Sequence, residues 1–190
     1  TQSEQCLDLR RHNVTTKTKQ QKDSYQTPVE FFDYYDYQHQ ITMDLFASKD
    51  NALAVEFYTT ENSFFDASPA DLTDYVCWAN PPYSNPKKYI KALVELFNAT
   101  RCKIIALLPI DFSTEWFGFV LNNATEINYI VGGRIPFVNP VTGKGEKIMR
   151  GNLVAIFDPA HKNSPQVTRY IDIKDIYRFV GKEYKPARGK

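Results

Sequence analysis

The tetrapeptide Asn80-Pro81-Pro82-Tyr83 has the residue types suited to chemistry on an amine. The exocyclic amine of adenine is a poor nucleophile because its lone pair is delocalised into the ring. The side-chain oxygen of Asn80 and the carbonyl oxygen of Pro81 can each accept one N–H hydrogen and so localise that pair. The ring of Tyr83, and not its hydroxyl, offers a surface on which a base can stack, worth roughly 1–3 kcal/mol. These four catalytic candidates suggest amino-group methylation.

The residues around the tetrapeptide predict where it lies. The apolar run from Tyr75 to Ala79 predicts a buried strand that ends directly before Asn80. Paired prolines have φ fixed near −65° and keep the next stretch of backbone out of a strand or helix. The alternative reading is a Pro-Pro turn that closes the strand, with Tyr83 as half-buried packing.

Length and composition predict one domain of ordinary size. The 190 residues are 43% hydrophobic, which is enough for a full core and leaves no room for a second large domain. The formal net charge is only +1, so nucleic-acid contacts must come from local basic patches. Three cysteines without metal-ligand spacing favour a reducing, cytoplasmic location without a metal. No stretch approaches the length of a membrane span, so no membrane contact is expected.

The charge pattern divides the chain into three parts. Residues 1–24 are polar and basic and predict a flexible arm. Residues 25–160 contain the strand and helix signals and predict the catalytic domain. Residues 161–190 are again basic and are expected to pack on the same domain as an extension.

Strand and helix signals alternate within the central part. Thr27, Pro28 and Glu30 have the pattern of a capped helix, with Thr27 as N-cap and Glu30 completing a capping box. Further helices are predicted from about Pro86 and after a cap at Asp111 or Ser113. The predicted strands are 41–46, 55–59, 75–79, 103–108, 127–131 and 153–157. This alternation predicts a three-layer α/β fold, with a mostly parallel sheet and helices on both faces.

Two polar residues are predicted at the ligand-binding edge of this sheet. Asp44 and Asn80 both fall at the carboxyl ends of predicted strands. Because ligands bind at that edge of parallel sheets, both side chains should face one crevice.

A basic, turn-rich segment lies between the last two strands, at 132–151. It contains Arg134, Lys144, Lys147 and Arg150 and is predicted to form a hairpin that contacts DNA phosphates or a groove. The alternative is a solvated loop with ordinary surface charges.

Seven short blocks resemble the phage-type DNA N6-adenine methyltransferases and occur in that family's order across roughly residues 23–158. The blocks are Thr27-Pro28, Ile41 to Ser48, Asn51-Ala52, Phe57 to Thr59, Asn80 to Ser84, Leu107 to Pro109 and Gly133 to Phe137. The resemblance implies a Rossmann-like class I methyltransferase fold and S-adenosylmethionine as the cofactor. It also implies an adenine in double-stranded DNA as acceptor, flipped out of the duplex. We expect a monomer or weak dimer, in a bacterial host cell if the chain is phage-encoded.

The resemblance also implies which residues hold the cofactor. Thr27 and Pro28 match the segment that closes over the methionine end, where a helix N-terminus favours a carboxylate. Asp44 matches the acid that binds the methionine ammonium. Phe46 and Ala47 would line the adjoining wall of the cofactor site. Asp66 would lie near the cofactor's adenine.

One departure from related enzymes leaves other functions open. The glycine-rich Phe-x-Gly-x-Gly loop is replaced by residues 46–50, which contain no glycine. The acid for the cofactor ribose is not assigned. The same tetrapeptide chemistry serves methylation of a guanine amine in RNA or a glutamine amide in protein. A third alternative is a catalytically inactive module that binds nucleic acid.

Overall fold

The computed structural model describes residues 23–147 and 150–187, so nearly all of the predicted basic arm lies outside the described residues. Within these ranges the chain forms four α-helices and nine strands. The helices are α1 (Val29–His39), α2 (Pro86–Ala99), α3 (Glu115–Asn123) and α4 (Ile173–Phe179). The strands are β1 (Met43–Asp44), β2 (Glu56–Phe57), β3 (Val76–Ala79), β4 (Lys103–Pro109), β5 (Glu126–Val131), β6 (Pro136–Val138), β7 (Gly145–Lys147), β8 (Asn152–Phe157) and β9 (Val167–Asp172).

Seven of these strands form the central sheet, in the order β2-β1-β3-β4-β8-β5-β9. Strand β8 runs antiparallel to its neighbours β4 and β5, and the other four pairings are parallel. The predicted mostly parallel sheet is confirmed. Its carboxyl edge holds the ends of β1, β3 and β4 together with the start of β8.

Helices cover both faces of the sheet, as predicted. Successive residues of β3 show the alternation, since Cys77 faces the core under α2 and α3 while Trp78 faces the core under α1 and α4. The apolar stripe of α2 faces the first of these cores, where Ile90 and Leu93 are fully buried and Val94 is half-buried. Strand β4 is buried on both faces, which accounts for its nearly continuous apolar sequence.

The carboxyl-terminal part of the chain contributes regular structure that the sequence patterns did not indicate. Strand β9 pairs in parallel with β5 and forms one edge of the sheet, and α4 packs beside α1. The first four side chains of β9 are exposed, so no apolar alternation marks the strand in the sequence. Asp172 caps α4, and its carboxylate accepts a hydrogen bond from the Lys174 amide.

The segment between β5 and β8 forms the predicted hairpin from β6 and β7. Its turn is held by the Asn139 side chain, which accepts hydrogen bonds from the amides of Val141 and Thr142. The hairpin is also joined to the chain before α1, because Gln26 and Val138 exchange two backbone hydrogen bonds of 2.9 Å. This contact places the hairpin beside the carboxyl edge of the sheet.

Candidate active site

A cavity of about 620 Å³ lies at the carboxyl ends of β1 and β3. This volume is in the range of small-molecule binding sites. The structure brings six of the predicted site residues together in its wall, namely Thr27, Asp44, Phe46, Ala47, Asn80 and Pro82. Pro28, Pro81 and Tyr83 lie beside the cavity without lining it.

Asp44 places a buried carboxylate in the cavity wall. The residue is 4% exposed, and its two oxygens accept hydrogen bonds from the amides of Phe46 (3.1 Å) and Leu53 (3.3 Å). The bond to Phe46 turns the chain directly after Asp44, so β1 ends at Asp44, two residues before the end of the predicted strand 41–46. Burial raises the pKa of Asp44 to about 6.

The Asp44 carboxylate has no ion-pair partner among residues 23–147 and 150–187. A buried carboxylate is costly without a counter-charge, and a perturbed acid in a cavity is typical of a functional site. The arrangement therefore suits a ligand with a cationic group.

Aromatic rings form a second part of the cavity wall. Phe46 packs edge-to-face on Phe64 (5.2 Å between ring centroids) and on Tyr89 (5.4 Å), and Phe65 stacks on Phe64. The Lys88 ammonium lies 4.8 Å from the centroid of the Phe65 ring. Such rings suit a planar ligand group.

The predicted role of Asp66 near this wall is not supported by its position. Residues Phe64–Asp66 form a 3₁₀ turn that is capped by Ser63, and this turn buries Phe64 while leaving Asp66 exposed. Asp66 does not line the cavity, whereas Phe64 and Phe65 do. The paired aromatic residues were the signal that the sequence interpretation did not use.

Asn80 is half-buried and lines the same cavity as Asp44. Its side-chain nitrogen donates a hydrogen bond of 3.0 Å to the hydroxyl of Thr27. The other amide atom, Oδ1, has no hydrogen-bond partner among the residues that the structure describes. The carbonyl oxygen of Pro81 likewise receives no hydrogen bond there. Neither acceptor of the tetrapeptide is thus occupied by a described protein group, and of the two residues Asn80 is the one that lines the cavity.

The prediction that Thr27 caps α1 is wrong. The N-cap is Pro28, which has no side chain able to cap, and no capping-box bond forms. The Thr27 hydroxyl, which is buried, bonds to Asn80 instead. A side-chain cap is typically worth about 1 kcal/mol, so α1 lacks that stabilisation while the Thr27 hydroxyl bonds to the tetrapeptide Asn80-Pro81-Pro82-Tyr83.

The prediction that only the ring of Tyr83 is used also needs correction. The Tyr83 hydroxyl accepts a hydrogen bond of 3.1 Å from the Asn152 side chain and lies 3.4 Å from the carbonyl oxygen of Leu107. Burial of the hydroxyl raises the pKa of Tyr83 far above its usual range. The half-buried ring packs edge-to-face on Phe137 of the hairpin. Tyr83 is thus fixed by both its ring and its hydroxyl.

Asn152, which the sequence interpretation missed, supports this loop from β8. It is 3% exposed, and its side-chain nitrogen donates both to Tyr83 and to the carbonyl oxygen of Leu108. A polar residue directly before the apolar run of β8 was the available signal.

The chain before α1, residues 23–28, holds three parts of the site together. We call it the 23–28 segment. Asp23 accepts a hydrogen bond from the amide of Ser84, Gln26 pairs with the hairpin, and Thr27 bonds to Asn80. The hairpin and the tetrapeptide Asn80-Pro81-Pro82-Tyr83 are therefore fixed to the same short stretch of chain.

The predicted DNA-contacting residues lie on and around the hairpin in different settings. Arg134 and Lys144 are exposed and form no ion pair with any described residue. Arg150 is exposed but pairs with the Asp111 carboxylate, which compensates part of its charge. Lys147 contributes its backbone to β7. Pro140, at the tip of the hairpin, lines the cavity.

Residues 23–147 and 150–187 contain neither a membrane-spanning helix nor a cluster of metal ligands. No helix in these ranges has the length and apolar character needed to cross a membrane. No three His, Cys, Asp or Glu side chains in the same ranges come together as a metal site would require.

Comparison with known proteins shows what the chain is similar to. The profile of the family described as DNA N-6-adenine-methyltransferase (Dam) matches residues 14–180. The DNA N-6-adenine-methyltransferase of Haemophilus phage HP1 is 30% identical over 161 residues, which cover 83% of this chain and 91% of the relative. The DNA N-6-adenine-methyltransferase of Escherichia phage T1 is 28% identical over 189 residues, covering 90% and 78% of the two chains.

Proposed function

The chain belongs to the DNA N-6-adenine-methyltransferase (Dam) family, and from this premise we propose that it transfers a methyl group from S-adenosylmethionine to the N6 amine of adenine in double-stranded DNA. Its mostly parallel seven-stranded sheet, with helices on both faces, agrees with the Rossmann-like fold of class I methyltransferases. The observation that carries the proposal is that the Asn80 amide and the buried Asp44 carboxylate line one cavity.

The cavity residues fit S-adenosylmethionine at two ends. Asp44 would hold the methionine ammonium, because it is a buried carboxylate without a cationic partner in the described part of the chain. The aromatic wall that includes Phe46 and Phe65 would hold the adenine ring. When bound, the cofactor supplies a methyl group already activated on a sulfonium.

The glycine-free loop after β1 is compatible with this site. Phe46, Ala47 and Ser48 all line the cavity. The loop is held by the Asn51 side chain, which accepts a hydrogen bond of 2.6 Å from the amide of Ser48. The observation therefore weakens the alternative of an inactive binding module, which rested on the missing glycines.

The tetrapeptide Asn80-Pro81-Pro82-Tyr83, which we call the catalytic loop, would activate the target amine by hydrogen bonding. Oδ1 of Asn80 and the carbonyl oxygen of Pro81 would each accept one hydrogen of the N6 amine, so that the nitrogen lone pair is localised. These acceptors are held before the base arrives, by Thr27 and by the paired prolines. No side chain of the protein needs to form a covalent intermediate, and positioning supplies much of the acceleration.

We propose that the target adenine is flipped out of the duplex, and the half-buried position of Asn80 supports this proposal. The residue lines a cavity whose wall also includes residues 23–27 and Pro140 at the hairpin tip, and a base still paired within a duplex would have to enter past these groups. The adenine would therefore leave the helix at a cost of a few kcal/mol. The Tyr83 ring, which lies beside the cavity and packs on Phe137, would offset part of this cost if the flipped base stacks on its free face.

The decisive test is incorporation of a labelled methyl group. Purified protein, tritiated S-adenosylmethionine and unmethylated duplex DNA should yield N6-methyladenine on nucleoside analysis, and DNA already methylated at adenine should accept less label. Label in cytosine, in RNA or in protein glutamine would contradict the substrate assignment. Cofactor binding without any transfer would favour the inactive-module alternative.

We also propose that the exposed cations of the hairpin contact DNA phosphates. Replacing Arg134 and Lys144 together with Gln should reduce the slope of log Kd against log salt by about 2, since each phosphate contact contributes roughly 0.9. Lys91→Gln is the matched control, because Lys91 lies on α2 and pairs with Glu95. The measurement is fluorescence anisotropy of labelled duplex DNA at several salt concentrations. An unchanged slope in the double variant would contradict the proposal and would indicate that Arg134 and Lys144 are ordinary solvated surface charges.

A further inference from the structure

We propose that Thr27 is a positioning residue for Asn80, an inference that rests on the proposed function. In this role its hydroxyl holds the Asn80 amide so that Oδ1 faces the target amine. The sequence resemblance implied instead that Thr27 contacts the cofactor. The contact that carries the new assignment is the 3.0 Å hydrogen bond from Nδ2 of Asn80 to Oγ1 of Thr27.

The surroundings of Thr27 make its hydroxyl a fixed point. The residue is buried, and its neighbour Gln26 is bonded to Val138 of the hairpin through both backbone groups. On the other side Pro28 begins α1, and its carbonyl oxygen accepts hydrogen bonds from the amides of Phe31 and Phe32. Both neighbours of Thr27 are therefore held, so the position of its hydroxyl is set by the fold.

The Thr27 side chain makes no other hydrogen bond with the described residues and does not cap α1. It stands one residue before the N-cap of α1, and the helix receives no side-chain cap. A Thr followed three residues later by Glu normally forms a capping box, so this sequence departs from the local rule. Such departures are expected at functional sites, and here the hydroxyl bonds to the catalytic loop.

An amide that is to localise an amine lone pair needs this restraint. The terminal torsion of Asn is broad and roughly two-fold, so an unrestrained amide also presents its NH₂ group, which is a donor, to the donor hydrogens of the substrate. The bond to Oγ1 of Thr27 holds the plane of the Asn80 amide, and in the observed orientation it engages Nδ2 and leaves Oδ1 without a partner among the described residues. Thr27 thereby acts on methyl transfer through Asn80 and touches neither reacting atom.

The test compares Thr27→Val, which keeps the shape and removes the hydroxyl, with Thr27→Ser, which keeps the hydroxyl. Thr27→Val should lower the single-turnover rate of methyl transfer about tenfold, the effect of losing one ordinary hydrogen bond. Its Kd for S-adenosylmethionine and for duplex DNA should stay within about twofold of the wild-type values, because the proposed role of Thr27 affects the transfer step and not binding. Thr27→Ser should retain most of the rate, and Thr168→Val on the exposed face of β9 should leave it unchanged.

A double-variant cycle separates positioning from a merely structural role. If Thr27 acts through Asn80, the variant carrying both Thr27→Val and Asn80→Ala should be no slower than Asn80→Ala alone. Multiplying losses would overturn the proposal, and so would an unchanged rate in Thr27→Val. Weaker cofactor binding that matches the lost rate would also overturn it and would make Thr27 a cofactor contact. If Thr27→Val does not fold, Thr27→Ala takes its place in the same cycle.

The result is distinguishable from failure of the proposed function. If wild-type protein transfers no methyl group to DNA adenine, the proposed function fails. If wild type is active and only the Thr27 variants behave contrary to expectation, the proposed function stands and the positioning role is refuted.

Discussion

Asn80→Ala is expected to lower the rate of methyl transfer to DNA adenine by roughly 10²–10³-fold, the usual effect of deleting one preorganised polar group that acts in the transition state. The side chain carries an acceptor that no described group occupies, on the wall of the cavity. Cofactor affinity should change little, because Asp44 and the aromatic wall remain. Single-turnover transfer and calorimetric binding of S-adenosylmethionine measure the two effects separately.

Asn98→Ala is the matched control for this variant, because Asn98 is exposed on α2 and its side chain accepts a hydrogen bond from Lys162, far from the cavity wall. Full activity of Asn80→Ala would exclude the proposed mechanism. A loss of cofactor affinity as large as the loss of rate would instead assign Asn80 to cofactor binding. Since removal of Asn80 also leaves the Thr27 hydroxyl without its partner, thermal unfolding should be recorded for both variants.

The fold could be predicted because its signals are local and repeated. The apolar stripe of α2 and the buried run of β4 each mark one element, and their alternation gives the mostly parallel sheet. Strand β9 escaped prediction because it lies at the sheet edge and exposes its first four side chains. An edge strand needs no alternation of apolar and polar residues, so the sequence of β9 resembles that of an exposed loop.

The site could be predicted only as far as strand ends determine it. Asp44 and Asn80 are predicted to share one crevice because each lies at the carboxyl end of a strand, and both line the cavity. The Thr27 contact with Asn80 spans 53 positions and depends on how the 23–28 segment crosses the sheet edge. The exposed position of Asp66 depends on the phase of one 3₁₀ turn. Neither feature has a periodic signal in the sequence.

Asp44→Asn is expected to weaken S-adenosylmethionine binding by about 1.5–3 kcal/mol, the range for hydrogen bonds to charged groups. This corresponds to roughly a ten- to 150-fold increase in Kd. The neutral amide keeps the size of the carboxylate but cannot pair with an ammonium. Asp71→Asn, at an exposed position, is the matched control. Calorimetry at pH 7.5 measures the change, and unaltered affinity would exclude Asp44 from the cofactor site.

The same substitution should change how the stability of the unbound protein depends on pH. Burial raises the pKa of Asp44 to about 6 in the folded state, above its ordinary value of 3.8. The folded state therefore favours the neutral acid, and wild type loses stability from this group as pH rises from about 4 to 6. The loss is at most about 3 kcal/mol and is constant above pH 6. Asp44→Asn should lack this loss.

Cofactor affinity should depend on pH in the opposite sense, and this dependence identifies the ionised carboxylate as the binding group. Below pH 6 protons compete with the ligand ammonium for Asp44, so the Kd of wild type should rise by up to about tenfold per pH unit, while that of Asp44→Asn should stay nearly flat. The pH dependence is a cleaner readout than absolute stability. The substituted amide can no longer accept both backbone hydrogen bonds, from Phe46 and Leu53, and that loss is the same at every pH. Parallel pH profiles for the two proteins would show that another group binds the ammonium.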